Sequence, residues 1–422
     1  GLVRSGVAPD HPEVKNVEKD FSQVAEDERL GFVGNVVVGE DVSVSDLSEQ
    51  YHAVVLAYGA SSDWELGVAG EELDGVFSAR TFVNWYNGHP DYAHVDFGSY
   101  LRKAEDVVVI GHGNVAVDCA RILSESIDVL AKTDITSDAL DALEASSVRR
   151  VSLLGRRGPV QSAFTRKELR ELCEMESAHL FVDPADLEQG LNPASEEELG
   201  KKRAMKRIMQ LLEQQAENFH HPPPDVDKHI HLRYFRSPVG FVEEEGGGGR
   251  VGGLRVAEMK LEGEVGSQRA VPTGKEEVIP ASLVLRSIGY KSTSIDASVP
   301  FNTKRHVVQN AAGRVVDDTN TPVPGLYCAG WAKRGPTGII ASNIMDAKQT
   351  VSHLLEDAAS DLLPTPLRPS PVTRPINTYI PSWEAWKRID KAEIARGAPE
   401  KPREKYTRIQ DMLEVGNGLR EQ

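Results

Sequence analysis

The chain is poor in cysteine and in long apolar runs, and each shortage excludes a class of protein. Its 422 residues include three cysteines, Cys119, Cys173 and Cys328, with no CxxC pair and no metal-ligand spacing. This pattern excludes a dithiol relay, predicts no metal site and fits a reducing compartment. The longest apolar runs, such as residues 53–57, are far too short to span a bilayer. We therefore expect a soluble or at most peripheral protein.

Positive charge is also scarce relative to negative charge. The formal net charge of -16 argues against nucleic acid as a bulk partner. A hydrophobic content of 40% in a chain of this length allows sizeable cores and suggests two or three domains. No targeting segment is visible at the amino end, which starts in a loop-like stretch. We expect the chain to begin in the middle of a fold.

The most informative stretch, residues 107–118, combines an apolar strand, a glycine-rich turn and the start of an amphipathic helix. Gly111 permits the tight turn, Gly113 lets the backbone approach a pyrophosphate, and Ala116 allows the helix to pack closely on the strand. A pyrophosphate would then bind the free amides at the helix N-terminus. The alternative is an ordinary strand-to-helix turn without a ligand.

Two arginines follow the next strand and indicate which dinucleotide binds. An NAD site usually has an acidic residue here, which bonds the ribose 2'-hydroxyl, whereas this chain has Arg156 and Arg157. Their planar guanidinium groups suit a 2'-phosphate, so the sequence predicts NADP. A solvated loop is the alternative, although turn, helix and arginines follow in the order that a βαβ unit requires. A second glycine run, residues 246–249, follows acidic residues and is interpreted as a hairpin tip.

Longer motifs carry a resemblance to a known family. They are GLVRSGVAPDHPEVKNV, AVVLAYGA, VVVIGHGNVAVDCARIL, GRRGPVQSAFTRKELRE, RYFRSP, SIGYKS, GLYCAGWAKRGPTGII and, near the carboxyl end, KPREK. Nearly the whole chain resembles the adrenodoxin reductase family, the mitochondrial NADPH-dependent ferredoxin reductases. The resemblance implies an α/β fold with two Rossmann-like nucleotide-binding domains of the glutathione-reductase type.

The same resemblance implies how the chain is divided. Residues 1–63 would form the first part of the FAD-binding domain, with short strands near 35–38 and at 53–57. Residues 64–294 would form an inserted NADP-binding domain. Residues 295–422 would complete the FAD domain, with a helix from about 339 to 357, and end in a charged tail.

The resemblance also implies which residues contact the cofactors, FAD and NADP(H). The implied NADP(H) contacts are His112, Gly113, Asn114, Val115, Arg156, Arg157 and Glu168. The implied FAD contacts are Leu2, Val38, Trp331, Gly338, Ile339 and Ile340, with Gly338 also near the nicotinamide. For Trp331 the alternative is a core aromatic. The catalytic residues stay unknown, since no general acid or base can be placed from the sequence.

The chain departs from the family pattern at two places. The family usually has glutamine where this chain has His112, and little effect is expected because the backbone makes the contact. The family begins with a βαβ unit whose GxGxxG motif holds the FAD pyrophosphate, and this chain lacks that unit. We therefore expect an FAD domain that is incomplete at its N-terminus. A truncated form that binds NADP but is non-catalytic is the alternative.

The family's activity implies a redox partner. NADPH gives up two electrons as a hydride, whereas a 2Fe-2S ferredoxin accepts one at a time, so FAD stands between them. Two other types of flavin reductase are alternatives: the thioredoxin reductase type, disfavoured by the missing CxxC, and the glutamate synthase type, disfavoured by the missing cysteine clusters. Location in the mitochondrion, on the matrix side and peripheral to the inner membrane, is expected from the family alone.

A basic run offers a docking surface for an acidic ferredoxin. Residues 201–207 include five positive charges, and Arg203 and Arg207 are spaced to share one helix face. The resemblance places ferredoxin-contacting arginines in this segment. A solvated face, balanced by the acidic residues 196–198, is the alternative.

Overall fold

The computed structural model describes residues 1–220, 226–338, 340–367, 381–397 and 399–419. These residues form two compact units. The first comprises Gly1–Leu30, Glu65–Ile288 and Lys387–Gln422, and the second comprises Gly31–Trp64 and Gly289–Trp386.

Strands and helices are numbered in chain order. The strands are β1 (Val54–Leu56), β2 (Ser62–Asp63), β3 (Val76–Ser78), β4 (Asp106–Ile110), β5 (Arg150–Leu154), β6 (Ala178–Val182), β7 (Lys228–Arg233), β8 (Arg236–Glu243), β9 (Val251–Glu262), β10 (Arg269–Pro280), β11 (Leu283–Arg286), β12 (Tyr290–Lys291), β13 (Phe301–Asn302), β14 (Val307–Val308), β15 (Asn310–Ala311), β16 (Arg314–Val316) and β17 (Pro322–Cys328). The helices are α1 (Leu2–Ser5), α2 (Val17–Ala25), α3 (Val44–Gln50), α4 (Ala79–Tyr86), α5 (Phe97–Leu101), α6 (Asn114–Ser124), α7 (Ile127–Leu130), α8 (Ser137–Glu144), α9 (Arg166–Cys173), α10 (Pro184–Gly190), α11 (Pro193–Lys201), α12 (Arg203–Glu217), α13 (Trp331–Arg334), α14 (Ile340–Ala359), α15 (Trp383–Arg396) and α16 (Ile409–Gly416).

The first unit is built on a six-stranded parallel sheet, in the order β3-β11-β4-β5-β7-β6. Strand β4 is buried over its last four residues, as expected of a parallel strand covered on both faces. Helices α6, α9 and α12 contribute to the core cluster on one face. The antiparallel strands β8, β9 and β10 pack against the other face, around Val108, Leu154 and Val284. The carboxyl ends of β4 and β5 therefore lie side by side at one edge of this sheet.

The predicted hairpin tip is confirmed, because residues 246–249 connect the antiparallel strands β8 and β9. The predicted strand at 53–57 is confirmed as β1, and the helix predicted from about 339 corresponds to α14. The strand predicted near 35–38 is wrong, since that segment forms a turn with one bridge between Val38 and Val42. The amide of Val37 donates to Asp41 Oδ2 at 2.8 Å, so a side chain takes the donor that a strand would use.

The second unit has a four-stranded sheet in the order β1-β17-β16-β15, in which β1 and β17 run parallel. Its core includes Leu56, Leu326 and Cys328. Two short ladders, β2 with β12 and β13 with β14, complete the unit. None of the helices in the described residues is both long enough and apolar enough to pass through a bilayer.

The ends of the chain divide differently from the predicted domain boundaries. Residues 1–30 and 387–422 were assigned to the FAD domain, yet they belong to the compact unit with the six-stranded sheet. Ion pairs explain the grouping: Lys15 Nζ lies 2.6 Å from Asp134 Oδ1, and Lys405 Nζ lies 3.0 Å from Asp134 Oδ2. Which nucleotide each unit binds stays a prediction.

Candidate nucleotide-binding site

The glycine-rich turn lies between β4 and α6, where the sequence predicts it. Gly111 has φ of +133°, and a Cβ on it would lie 2.2 Å from the Ser287 carbonyl oxygen, so only glycine fits there. Gly113 is the N-cap of α6 without a side-chain cap, and a Cβ on it would meet no atom within 4 Å. The amides of Asn114 and Val115 have no hydrogen-bond acceptor within the described residues, which suits a pyrophosphate.

Asn114 and Val115 form the first turn of α6. The Asn114 side chain is engaged within the protein, because its Oδ1 accepts a hydrogen bond from the Thr165 amide at 2.9 Å. Thr165 in turn caps α9 by accepting from the Glu168 amide at 3.3 Å. The start of α9 is thus tied to the glycine-rich turn.

His112 lies between the turn and the end of β5. Its Nε2 is 3.1 Å from the Leu153 carbonyl oxygen, and its ring meets Tyr234 edge-on with centroids 4.8 Å apart. Burial lowers the pKa of His112 to about 4, so the ring is neutral near pH 7. A Cβ on Gly155 would lie 2.3 Å from His112 Nδ1, which explains the glycine before the two arginines. A sequence motif gives no sign of this packing.

Arg156 and Arg157 follow β5 with exposed side chains, and neither side chain makes a hydrogen bond or ion pair within the described residues. Because β4 and β5 are in parallel register, with Ile110 opposite Leu154, the arginines and the glycine-rich turn share one edge of the sheet. Open amides for a pyrophosphate and two uncompensated guanidinium groups for a 2'-phosphate fit the chemistry of NADP(H).

Glu168, a predicted NADP contact, is a buried member of a charged cluster. Its Oε2 accepts from Arg121 Nη1 at 3.2 Å and lies 3.9 Å from His11 Nε2. Burial, and then the neighbouring Asp118 carboxylate, raise the pKa of Glu168 to about 7. The cluster lies beside a cavity of about 570 Å³ lined by His11, Arg121 and Glu171. This cluster could not be predicted from the sequence, because its members come from three distant segments.

Three members of this cluster lie close enough together to be compared with a metal site. His11, Asp118 and Glu168 each offer one ligand atom within 4.8 Å of the others. However, Arg121 already supplies positive charge there, with Nη2 2.7 Å from Asp118 Oδ1. We therefore assign no metal to these residues.

The predicted flavin contacts of the second unit surround a glycine-containing loop. Trp331 begins α13, and its buried Nε1 finds no acceptor within the described residues. Gly338 has φ of +82°, and a Cβ on it would lie 2.5 Å from Ser342 Oγ. An N–H in need of an acceptor, and a backbone without a Cβ, fit the edge of a flat ring such as a flavin.

The remaining predicted flavin contacts are scattered. Leu2 lies in α1 of the first unit and is 37% exposed, and Val38 lies in the turn of the second unit. Ile339 and the side chain of Ile340 lie outside the described residues. All of these contacts stay predictions.

The predicted docking arginines lie at the start of α12. The basic run is not one helix, because α11 ends at Lys201 and α12 begins at Arg203. Lys201 and Lys202 pair with Glu197 and Glu198 on α11. For these two lysines, the positive charge is balanced by neighbouring acidic residues, as in the alternative of a solvated helix face. Exposed groups without an ion pair in the described residues make up the rest of the run, namely Arg203, Lys206 and Arg207.

Helix α9 adds positive charge beside these residues. It packs against α12 and carries two half-buried arginines, Arg166 and Arg170, of which Arg170 Nε lies 3.9 Å from Glu174 Oε1. The pKa of Arg166 is lowered first by Arg170 and also by Arg207, so these cations lie close together. We call Arg166, Arg170, Arg203, Lys206 and Arg207 the basic face.

The parallel sheet, the glycine-rich turn and the open N-terminus of α6 place the chain in the class of Rossmann-like α/β nucleotide-binding proteins. No protein-family model matches the chain. It is similar to the mitochondrial NADPH:adrenodoxin oxidoreductases of Bos taurus, 46% identical over 98% of this chain and 84% of the relative, and of Arabidopsis thaliana, 44% identical over 98% and 87%. Among solved structures, Mycobacterium tuberculosis FprA in complex with NADPH has a TM-score of 0.88 and 36% identity, covering 99% of this chain and 90% of FprA. The chain belongs to the NADPH:adrenodoxin oxidoreductase family.

Several predictions from the sequence are confirmed by these similarities. The family resemblance, the Rossmann-like α/β fold and the class of enzyme, an oxidoreductase, are as predicted. FAD and NADP(H) are the cofactors of this family of flavoproteins. The roles of individual residues stay predictions.

Proposed function

We propose that this protein passes electrons from NADPH, through FAD, to a 2Fe-2S ferredoxin, one electron at a time. Membership of a family of NADPH:adrenodoxin oxidoreductases supports the overall direction of electron flow. The observation that carries the proposal for this chain is the shared sheet edge, where the open turn at Gly113 lies beside the unpaired Arg156 and Arg157.

The protein's own residues bind and orient the dinucleotide. Amides of α6 hold the pyrophosphate, and Arg156 and Arg157 hold the 2'-phosphate. Bound FAD supplies the chemistry that accepts a hydride and releases single electrons. In the second unit, Trp331 Nε1 and the backbone at Gly338 contact the flavin, together with Val38 and the segment that begins α14.

The basic face receives the ferredoxin. Arg203, Lys206 and Arg207, which are exposed and make no ion pair within the described residues, would meet the carboxylates of an acidic partner and speed its encounter. This arrangement explains how a chain with net charge -16 can attract an acidic protein. The mitochondrial names of the relatives support a mitochondrial location, and we place the protein on the matrix side, peripheral to the inner membrane.

The experiment that tests this function compares two electron acceptors. The flavin-loaded full chain is mixed with NADPH and either a 2Fe-2S ferredoxin, with cytochrome c as the final reporter, or ferricyanide. We expect both reactions to proceed, with NADPH far more effective than NADH. Reduction of ferricyanide without reduction of any 2Fe-2S ferredoxin would contradict the assigned partner, and equal use of NADH would contradict the assigned nucleotide.

A further inference from the structure

The loop that carries the two arginines is held by a neighbouring turn. We call residues 155–158 the arginine loop and residues 233–236 the supporting turn. The Gly155 amide donates to the Arg233 carbonyl at 2.9 Å, and the Arg236 amide donates to the Gly155 carbonyl at 3.0 Å. The Phe235 amide donates to the Arg157 carbonyl at 3.3 Å. The backbone beneath the arginines is therefore fixed, although their side chains are exposed.

Phe235 has an unusual conformation in the supporting turn. Its φ is +54°, in the left-handed region that bulky residues rarely adopt, and its side chain is fully buried. A bulky residue keeps a left-handed backbone conformation only where several contacts with its surroundings stabilise that conformation. The Phe235 carbonyl accepts from the Met259 amide at 2.9 Å, and a Cβ on Gly158 would lie 2.9 Å from the Phe235 ring. Strand β9 and the arginine loop thus both contact Phe235.

His112 also contacts the arginine loop. Its ring fills the space above Gly155 and packs edge-on against Tyr234 of the supporting turn. Because His112 belongs to the glycine-rich turn, this packing links the pyrophosphate turn to the arginine loop.

Nearby arginines cannot easily replace Arg156 and Arg157. Arg233 Nη2 lies 2.9 Å from Glu277 Oε1, and Arg236 also pairs with Glu277. Their charges are compensated within the protein, so the position of the arginine loop decides where uncompensated positive charge lies.

We propose that Phe235 and His112 are positioning residues that hold the arginine loop and thereby set the preference for a nucleotide with a 2'-phosphate. This inference rests on the proposed function, because it assumes that Arg156 and Arg157 bind that phosphate. Neither side chain touches the phosphate in this account; both act through the arginine loop.

The test uses two fragments of the dinucleotide as probes, 2',5'-ADP and 5'-AMP, which differ by the 2'-phosphate. Their dissociation constants for the full chain are measured by calorimetry, a readout that needs no turnover. Phe235→Leu removes the ring beside Gly158, and we expect the preference for 2',5'-ADP to fall by about tenfold, the size of one charge-assisted hydrogen bond. The matched control is Phe181→Leu, at a buried phenylalanine of β6, where we expect the wild-type preference.

A second pair of variants covers the case in which Phe235→Leu fails to fold. His112→Ala should lower the preference, and His112→Gln, which restores a side-chain donor toward Leu153, should recover most of it. An unchanged preference in Phe235→Leu or in His112→Ala would overturn the proposal, as would an equal loss for both probes. If the wild-type protein itself binds the two probes equally, the NADP site of the proposed function fails, which is a separate result.

Discussion

Arg121 of α6 and Glu168 of α9 form a buried ion pair, with Nη1 and Oε2 3.2 Å apart. The Arg121 side chain is 4% exposed and also bonds Asp10 and Asp118. One guanidinium group therefore compensates carboxylates from the amino-terminal segment, α6 and α9. Removing a charge from such a buried set leaves the others unpaired, which costs more than the original pairing contributes.

Arg121→Met is expected to lower the free energy of unfolding by about 3–5 kcal/mol, because buried carboxylates lose their partner. Urea unfolding, followed by fluorescence, measures the change. The matched control is Arg150→Met, since the Arg150 side chain is 50% exposed in its pair with Asp106. That change should cost about 1 kcal/mol or less. Similar losses in the two variants would mean that Arg121 does not organise the cluster.

The same cluster predicts a pH dependence of stability. The pKa of Glu168 is raised from its ordinary value of 4.5 to about 7, so the folded protein keeps a proton that the unfolded chain releases. The contribution of Glu168 to stability is therefore fully present below pH 4.5 and is lost as the pH rises through about 7. Glu168→Gln abolishes this titration.

We expect the stability of Glu168→Gln, relative to the wild-type protein, to increase between pH 5 and pH 8. Urea midpoints at the two pH values measure the difference. The altered bond to Arg121 is expected to change the stability of Glu168→Gln by the same amount at every pH. The test is therefore how the difference in stability from the wild-type protein changes with pH. Glu174→Gln, at a carboxylate whose side chain is 70% exposed, serves as the control and should show no such trend. A relative stability of Glu168→Gln that falls over this interval would contradict the assigned direction.

The unpaired arginines predict the nucleotide preference directly. Replacing both, as Arg156→Gln with Arg157→Gln, removes the charge-assisted hydrogen bonds to the 2'-phosphate, each worth about 1.5–3 kcal/mol. We expect kcat/KM for NADPH to fall by about 100-fold or more while kcat/KM for NADH changes little. Steady-state reduction of ferricyanide measures both. Arg149→Gln, an exposed arginine before β5, is the control and should leave the ratio unchanged. Parallel losses with the two nucleotides would show that the arginines support the fold rather than the phosphate.

Local patterns in the sequence were sufficient to predict the strand, turn and helix around Gly111 and the arginines after β5. These features follow from hydrophobic runs and from glycine chemistry within about fifty residues. The cluster of His11, Arg121 and Glu168 could not be found in this way, because its members meet only when the sheet has formed. The turn at 35–38 was misjudged for a related reason: the Asp41 side chain competes for a backbone donor.

The break between α11 and α12 was also not predicted from the sequence pattern. It limits the docking prediction to the unpaired residues at the start of α12. Lys202, which pairs with Glu198, has an extended backbone with ψ of 90° and separates α11 from the unpaired arginines of α12. Charge reversal at the unpaired residues, Arg203→Glu with Arg207→Glu, should slow ferredoxin reduction by about tenfold or more at low salt, because repulsion replaces steering. Ferricyanide reduction should not change.

The control for docking is Lys201→Glu, in the same basic run but with its charge already matched by Glu197. Its effect on ferredoxin reduction should be much smaller than that of the double reversal. Raising the ionic strength should reduce the difference in the rate of ferredoxin reduction between the wild-type protein and the double variant, because salt screens the charges of an exposed surface. An equal slowing of ferricyanide and ferredoxin reduction would contradict a docking role, and so would a gap that salt does not alter. If Lys201→Glu slowed ferredoxin reduction as much as the double variant does, the net charge of the protein, and not the basic face, would control the rate of encounter.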